Sequence, residues 1–211
     1  MKVAYLGFGA LGQQIRQLLH ENSIPICEEI FFDDNSCHSG LPGAHPFKSF
    51  LADEYAEFQF VVGLGYHHLP LKVSIINELQ AANRKLLTFI HPSASVSPST
   101  IIEDGVIIFP GCSICLNCHL EAGSVLCNAC TLAHDVHLKK ACFLGASVTS
   151  AGNVTIQEAS FVGSGSTIAN NLTIGRECRI GLATAVTHDL PDKVCAIGNP
   201  MRVLQTPFRL Q

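Results

Sequence analysis

Hydrophobic positions along the chain follow two different periods. Up to about His91, short apolar runs alternate with stretches of helical spacing. KVAYLG is followed by Leu11, Ile15, Leu18 and Leu19, spaced as one helical face to about His20; EEIFFDD and EFQFVVGLG read as second and third strands. A helix is expected from Leu71 to Asn83 and a last strand over KLLTFIH, after which His91-Pro92 closes the pattern. Alternation of this kind predicts a small parallel α/β unit over residues 1–92, Rossmann-like in plan. Right-handed crossovers would gather Gly7 to Gly12, Asp33 and Asp34, and Gly63 to His67 at the C-terminal ends of strands, where open α/β sheets bind ligands.

From Val96 an aliphatic residue recurs every six positions, and the register holds to Val186. Of the sixteen slots only Ser150 is not aliphatic, so chance is not the cause. Four residues after each slot the residue is usually small or β-branched. A six-residue period is that of a parallel β-helix, in which three hexads make a coil of 18 residues and coils stack about 4.8 Å apart. The fold class expected is therefore an α/β Rossmann-like domain followed, over residues 93–211, by an all-β left-handed parallel β-helix of hexapeptide repeats.

Composition narrows the function classes. The chain has 211 residues, 47% hydrophobic and 14% charged, with net charge −4 and its Lys and Arg residues scattered. Without a basic stripe, neither nucleic acid nor an anionic membrane is an expected partner. The first apolar stretch is short and broken by glycine, which suits a buried strand rather than a signal peptide or membrane span, so a cytoplasmic location and reduced thiols are expected. Five of the ten cysteines (Cys112, Cys118, Cys130, Cys142, Cys178) fall in the small slot of the hexad, where a thiol packs as a compact hydrophobe. Cys130, four residues before His134, is an alternative acyl-accepting nucleophile, and its interior register favours packing.

Two stretches carry candidate chemistry. Gly7, Gly9 and Gly12 match GxGxxG after the first strand, and Asp33 and Asp34 end the second, about where a ribose-binding carboxylate would lie. Read alone this suggests a nicotinamide cofactor, although the same glycines serve helix–strand packing in domains that bind other ligands. The second stretch is LAHDVHLKK. His134 lies outside the aliphatic register, near a prism corner, and an imidazole that titrates near neutral pH suits a general base; a solvated surface histidine is the plain alternative. His119 and His137 are 18 residues apart and should stack on adjacent coils, either structurally or lining a cleft. Three histidines raise a zinc hypothesis, but the spacing lacks an HxxxxH pair in this coil region, and no metal is expected.

The combination of a Gly-rich opening turn, IFFDDN, the junction FIHPSASVSP, the HD coil and the ending IGNP resembles the sialic-acid O-acetyltransferase and bacillosamine-type UDP-4-amino-sugar N-acetyltransferase family of hexapeptide-repeat enzymes. The resemblance spans essentially the whole chain. It implies that LGFGALG receives a nucleotide-linked sugar rather than NAD, with Gly7, Gly9, Gly12, Asp33, Asp34 and Gly65 as substrate contacts; His137 would join them if it lines the cleft rather than only stacking. It implies a homotrimer with acetyl-CoA between neighbouring prisms. Asp135 would orient His134 and stabilise its imidazolium, while Gly152, one coil later in the column of His134, would offer its backbone N–H to the thioester carbonyl. The tail AIGNPMRVL is expected to leave the prism, with Arg202 either approaching the CoA phosphates or standing as a solvated charge.

Two positions depart from the family pattern. Phe143 stands where many members have a second histidine nine residues after the first, and GYHHLPLK, with Pro70 near the usual arginine, has Tyr66, His67, His68 and Lys72 instead. The expected activity is acetyl-CoA-dependent N-acetylation of a nucleotide-linked amino sugar. The alternatives are O-acetylation of sialic acid or another sugar, a trimeric scaffold or nucleotide sensor without catalysis, and, more distantly, a nicotinamide enzyme.

Overall fold

The computed structural model describes residues 1–204 of the chain, which divide into two compact units meeting at Phe89 and Ile90. Among the described residues no helix is long and apolar enough to cross a membrane.

In the first unit, β1 (Lys2–Leu6), β2 (Glu28–Phe32), β3 (Ala44–His45), β4 (Gln59–Val62) and β5 (Lys85–Leu86) form one parallel sheet in the order 3-2-1-4-5. The central strand β1 is buried from Val3 to Leu6, as its unbroken apolar run requires. Helix α1 (Ala10–Glu21) buries Leu11, Ile15 and Leu19, and α2 (Asp34–His38) is a short turn capped by Asp33. Helix α3 spans Leu69–Ala81, two residues earlier at each end than the apolar spacing suggests. Pro70 explains the shift, because a proline fits the first helical turn, where its missing N–H is not needed. KLLTFIH is likewise not one strand: Lys85–Leu86 belongs to this sheet, while Phe89–Ile90 begins another.

The second unit is a parallel β-helix. Its strands, mostly of two residues, build three parallel sheets with an 18-residue register, as in Ser113↔Thr131↔Thr149↔Thr167. Leu120, Leu126, Leu132, Leu138 and Leu144 are fully buried along the axis. The three residues at most corners follow a fixed conformation in which the third residue after each aliphatic slot has φ near +50 to +76°, whether glycine (Gly105, Gly111, Gly123) or not (Asn117, Ala129, Asp135, Ala141). A left-handed residue strains any side chain by roughly 1–2 kcal/mol, so the repeat is held by packing that outweighs it. The tail does not leave the prism: Cys195–Ile197 pairs with the last coil and Arg202–Leu204 doubles back antiparallel to it. A strand-capable segment beside an open sheet edge satisfies its own backbone there.

The small slot is more than filler. Cys112, Cys118, Cys130 and Cys142 each lie 3.0–3.2 Å from the carbonyl oxygen fifteen residues on, and Ser124, Ser160 and Ser166 make the same bond at 2.7–3.1 Å. These bonds give each carbonyl a side-chain donor, and the Lys139 and Gly181 carbonyls also accept from the Cys142 N–H and from Thr184 Oγ1. Ser150, the break in the aliphatic register, has the same purpose: Val136 cannot donate to the Ala151 carbonyl, and Ser150 Oγ does, at 3.2 Å.

Candidate active site

His134, Asp135 and Gly152 come together at one corner of the β-helix. Leu132 pairs with Ser150 in register, which sets His134 beside Gly152 on adjacent coils. His134 Nδ1 lies 2.7 Å from Asp135 Oδ2, and both side chains are about half exposed. The hydrogen bond from His134, supported by one from Asn117 to the other carboxylate oxygen, holds the Asp135 carboxyl below its usual range. With Nδ1 thus engaged, Nε2 is the ring atom left to exchange a proton with a ligand. A Cβ at Gly152 would fall 2.6 Å from both Cε1 and Nε2 of His134, so the imidazole occupies the space that only glycine leaves open. The Gly152 N–H, expected as a donor to a ligand carbonyl, is here given to Asn170 Oδ1 at 2.9 Å. A ligand can take it only by displacing that amide.

In the α/β unit, Gly7, Asp33 and Asp34 line a crevice of about 310 Å³ at the strand ends, together with Asn35, Phe47, Leu64, His68 and Leu71. Gly7 has φ +81°, and the Cβ positions of Gly12 and Gly63 would lie 2.5 and 2.4 Å from its carbonyl oxygen. Those two glycines therefore let the turn, α1 and β4 close on one another, while Gly9 and Gly65 border open space. Gly9, Gly12 and Gly65 are not among the lining residues. Asp33 accepts the Phe8 N–H at 2.9 Å and the Ser36 N–H at 2.8 Å; burial opposes its ionisation, but these bonds outweigh it and the carboxyl lies below the ordinary range. Its first task is thus to tie the Gly-rich turn to the end of β2. Asp34 Oδ1 accepts the Phe47 N–H at 2.9 Å. Lys72 is buried, so it offers no exposed cation to a diphosphate.

No protein-family model matches the chain, and no curated protein matches it in sequence. Solved structures do. Perosamine N-acetyltransferase from Caulobacter crescentus, as a variant in complex with CoA and GDP-perosamine, superposes with a TM-score of 0.87 at 24% identity over 98% of both chains. PerB from the same organism, with CoA and GDP-perosamine, gives 0.86 at 25% over 97% of both. The acetyltransferase domain of PglB from Neisseria gonorrhoeae, with acetyl coenzyme A, gives 0.83 at 27% over 96% of this chain and 98% of that one. The chain has the fold of acetyl-CoA-dependent sugar acetyltransferases.

Other candidates on that fold sort by geometry. Cys130 is fully buried and its thiol donates to the Gly145 carbonyl; the Cys112 thiol beside it and burial push its pKa up, the reverse of what a nucleophile needs. His119 and His137 stack with centroids 4.5 Å apart, and each Nε2 meets a glutamate, Glu103 at 2.8 Å and Glu121 at 2.9 Å. His119, Glu121 and His137 bring ligand-type atoms within 4.8 Å of one another, yet Lys139 Nζ already sits 2.9 Å from Glu121 Oε1 and neutralises the charge that would draw a cation. Both members of the His137–Glu121 pair have lowered pKa values, which conflict if it is read as an ion pair. We read the imidazole as neutral and donating, because burial disfavours its charge and Lys139 supplies the counter-charge to Glu121. Arg202 is exposed on the returning edge strand. Phe143 is buried against Phe161, centroids 5.9 Å apart, and contributes no polar group.

Sequence reading missed Asn117 and Asn170, both of which hydrogen-bond the site. An 18-residue step from Asp135 back to Asn117, and from Gly152 forward to Asn170, was available as the signal. It missed Phe47 and Leu71 in the crevice because nothing in a linear pattern marks which loop side chains converge.

Proposed function

We propose that the protein transfers the acetyl group of acetyl-CoA to an amino group of a nucleotide-linked amino sugar. The observation that carries this reading is the His134–Asp135 pair at an exposed corner, with Gly152 leaving room for the ring. His134 Nε2 takes the proton of the attacking amine as its nitrogen bonds to the thioester carbonyl carbon. The same atom then returns the proton to the departing sulfur, so that an amide and free CoA thiol leave together. Asp135 fixes the ring and stabilises its cation while the proton is held. Gly152 is the contact for the acyl group, its N–H passing from Asn170 to the thioester carbonyl, and His137 borders the acceptor.

The nucleotide belongs in the strand-end crevice of a Rossmann-like unit, with Gly7, Asp33 and Asp34 at its wall and Gly9, Gly12 and Gly65 in the turns that shape it. Arg202 serves the CoA phosphates. Three prisms assemble into a homotrimer: Ile101 and Leu116 are large apolar side chains left 59% and 53% exposed near this corner, as a covered surface would require. Neighbours with CoA and GDP-perosamine support the substrate pair.

The test is release of CoA thiol from acetyl-CoA with UDP-, GDP- and dTDP-linked amino sugars. Turnover on one of them supports the reading. Silence across the panel, with no binding of acetyl-CoA, overturns it.

A further inference from the structure

One corner of the β-helix differs from the other two in a way the repeat does not require. Residues of positive φ at the plain corners are Gly105, Gly123, Ala141, Ala159 and Glu177 on one edge, and Gly111, Ala129, Ser147, Gly165 and Ala183 on the other. At the His134 corner they are Asn117, Asp135, Asn153 and Asn171, with φ between +56 and +61°. Asparagine and aspartate tolerate this region better than other side chains, but the two remaining edges turn with glycine and alanine at eight of ten positions and with Ser147 and Glu177 at the others. Here the side chains also bond along the axis: Asn117 Nδ2 to Asp135 Oδ1 at 3.2 Å, and Asn153 Nδ2 to Asn171 Oδ1 at 2.9 Å. The ladder is broken between Asp135 and Asn153, since Asn153 gives its amide to Asn171. Asp135 therefore has one oxygen for Asn117 and the other for His134.

From this arrangement we infer that Asn117 is a positioning residue: by occupying Asp135 Oδ1 it aims Oδ2 at His134 Nδ1 and keeps the imidazole protonated there, with Nε2 as the free base. Asp135 lies on an exposed turn, where its χ angles are otherwise unconstrained and its carboxylate would turn to water. Asn117 is itself anchored from the preceding coil, its N–H donating to Ser99 Oγ at 2.9 Å. The role in catalysis rests on the acetyltransferase reading; the effect on the imidazole does not.

Two measurements separate these. Asn117→Gly is the clean deletion, because glycine suits φ +58° and the coil is not strained by it. Ring-nitrogen NMR of His134 is expected to show the Nδ1–H form in the native protein and a mixture of both tautomers in Asn117→Gly, whether or not the protein turns over any sugar. On the substrate that is acetylated, kcat should fall about tenfold or more with KM for acetyl-CoA unchanged, in line with losses of supporting partners elsewhere. Unchanged tautomer and unchanged kcat in Asn117→Gly would overturn the inference while leaving the enzyme reading intact. Absence of turnover in the native protein would overturn the catalytic role, and the tautomer result would still decide the positioning one.

Discussion

The corner that carries His134 and the two that do not share one backbone course and differ in their side chains. All three turn through residues of positive φ on an 18-residue spacing, and all three rest on the same buried aliphatic stack. Apart from Glu177, the plain corners use small residues there. The His134 corner uses amides, a carboxylate and an imidazole, and sets Gly152 against the ring. The repeat thus supplies a rigid frame whose geometry is paid for by the core, and function requires only that a few outward positions be changed.

That comparison can be broken first at Gly152. Gly152→Ala drives a methyl into the imidazole and is expected to lower kcat by about a hundredfold or more, with little change in unfolding temperature. Gly123→Ala, at a plain corner with φ +69°, should do the reverse, costing about 1 kcal/mol in stability with kcat unchanged. Equal losses of activity in both would mean that the corners are not functionally distinct.

A second contrast lies inside the prism. Leu132→Ala removes a fully buried side chain from the coil that carries His134 and should cost about 2–5 kcal/mol in denaturant unfolding. Cys130→Ser, in the neighbouring slot, keeps a donor for the Gly145 carbonyl and is expected to retain turnover within a few-fold, whereas a nucleophilic thiol would make it inactive.

A smaller effect concerns the stacked histidines. Burial, with Lys139 and His119 nearby, lowers the pKa of His137 in the folded chain despite Glu121. The unfolded chain then binds the proton at higher pH, so stability should decline as pH falls from around the ordinary imidazole value of 6.5. Glu121, whose carboxyl is also lowered, adds to the decline at more acid pH. His137→Gln should flatten the upper part of that decline in thermal melts at pH 7 and pH 5; an unaltered slope would assign it to other groups.

Much of the fold was legible because period is a linear property. The hexads from Val96 to Val186 placed the axis-facing side chains, and the same register placed Gly152 beside His134 and His119 beside His137. What the linear pattern could not hold were bonds made across coils or loops. Cysteine in the small slot looked apolar, and its donation to a carbonyl fifteen residues on emerges only when the coil closes. Asp33 looked like a ribose contact because it ends a strand, and its two oxygens turn out to hold Phe8 and Ser36. Gly152 looked like a free donor, and Asn170 takes its N–H. The tail AIGNPMRVL looked like an exit, and it instead finds the open edge of the last coil.

The central claim is that His134 is the base of an acetyl transfer to a nucleotide-linked amino sugar. Its most direct test is CoA-thiol release by the native protein and His134→Ala on the sugar from the panel that the native protein acetylates. A loss of roughly a hundredfold to ten-thousandfold in kcat, with acetyl-CoA still bound, is the expected result. Turnover by His134→Ala at the native rate would contradict it and move the search for the base to another residue.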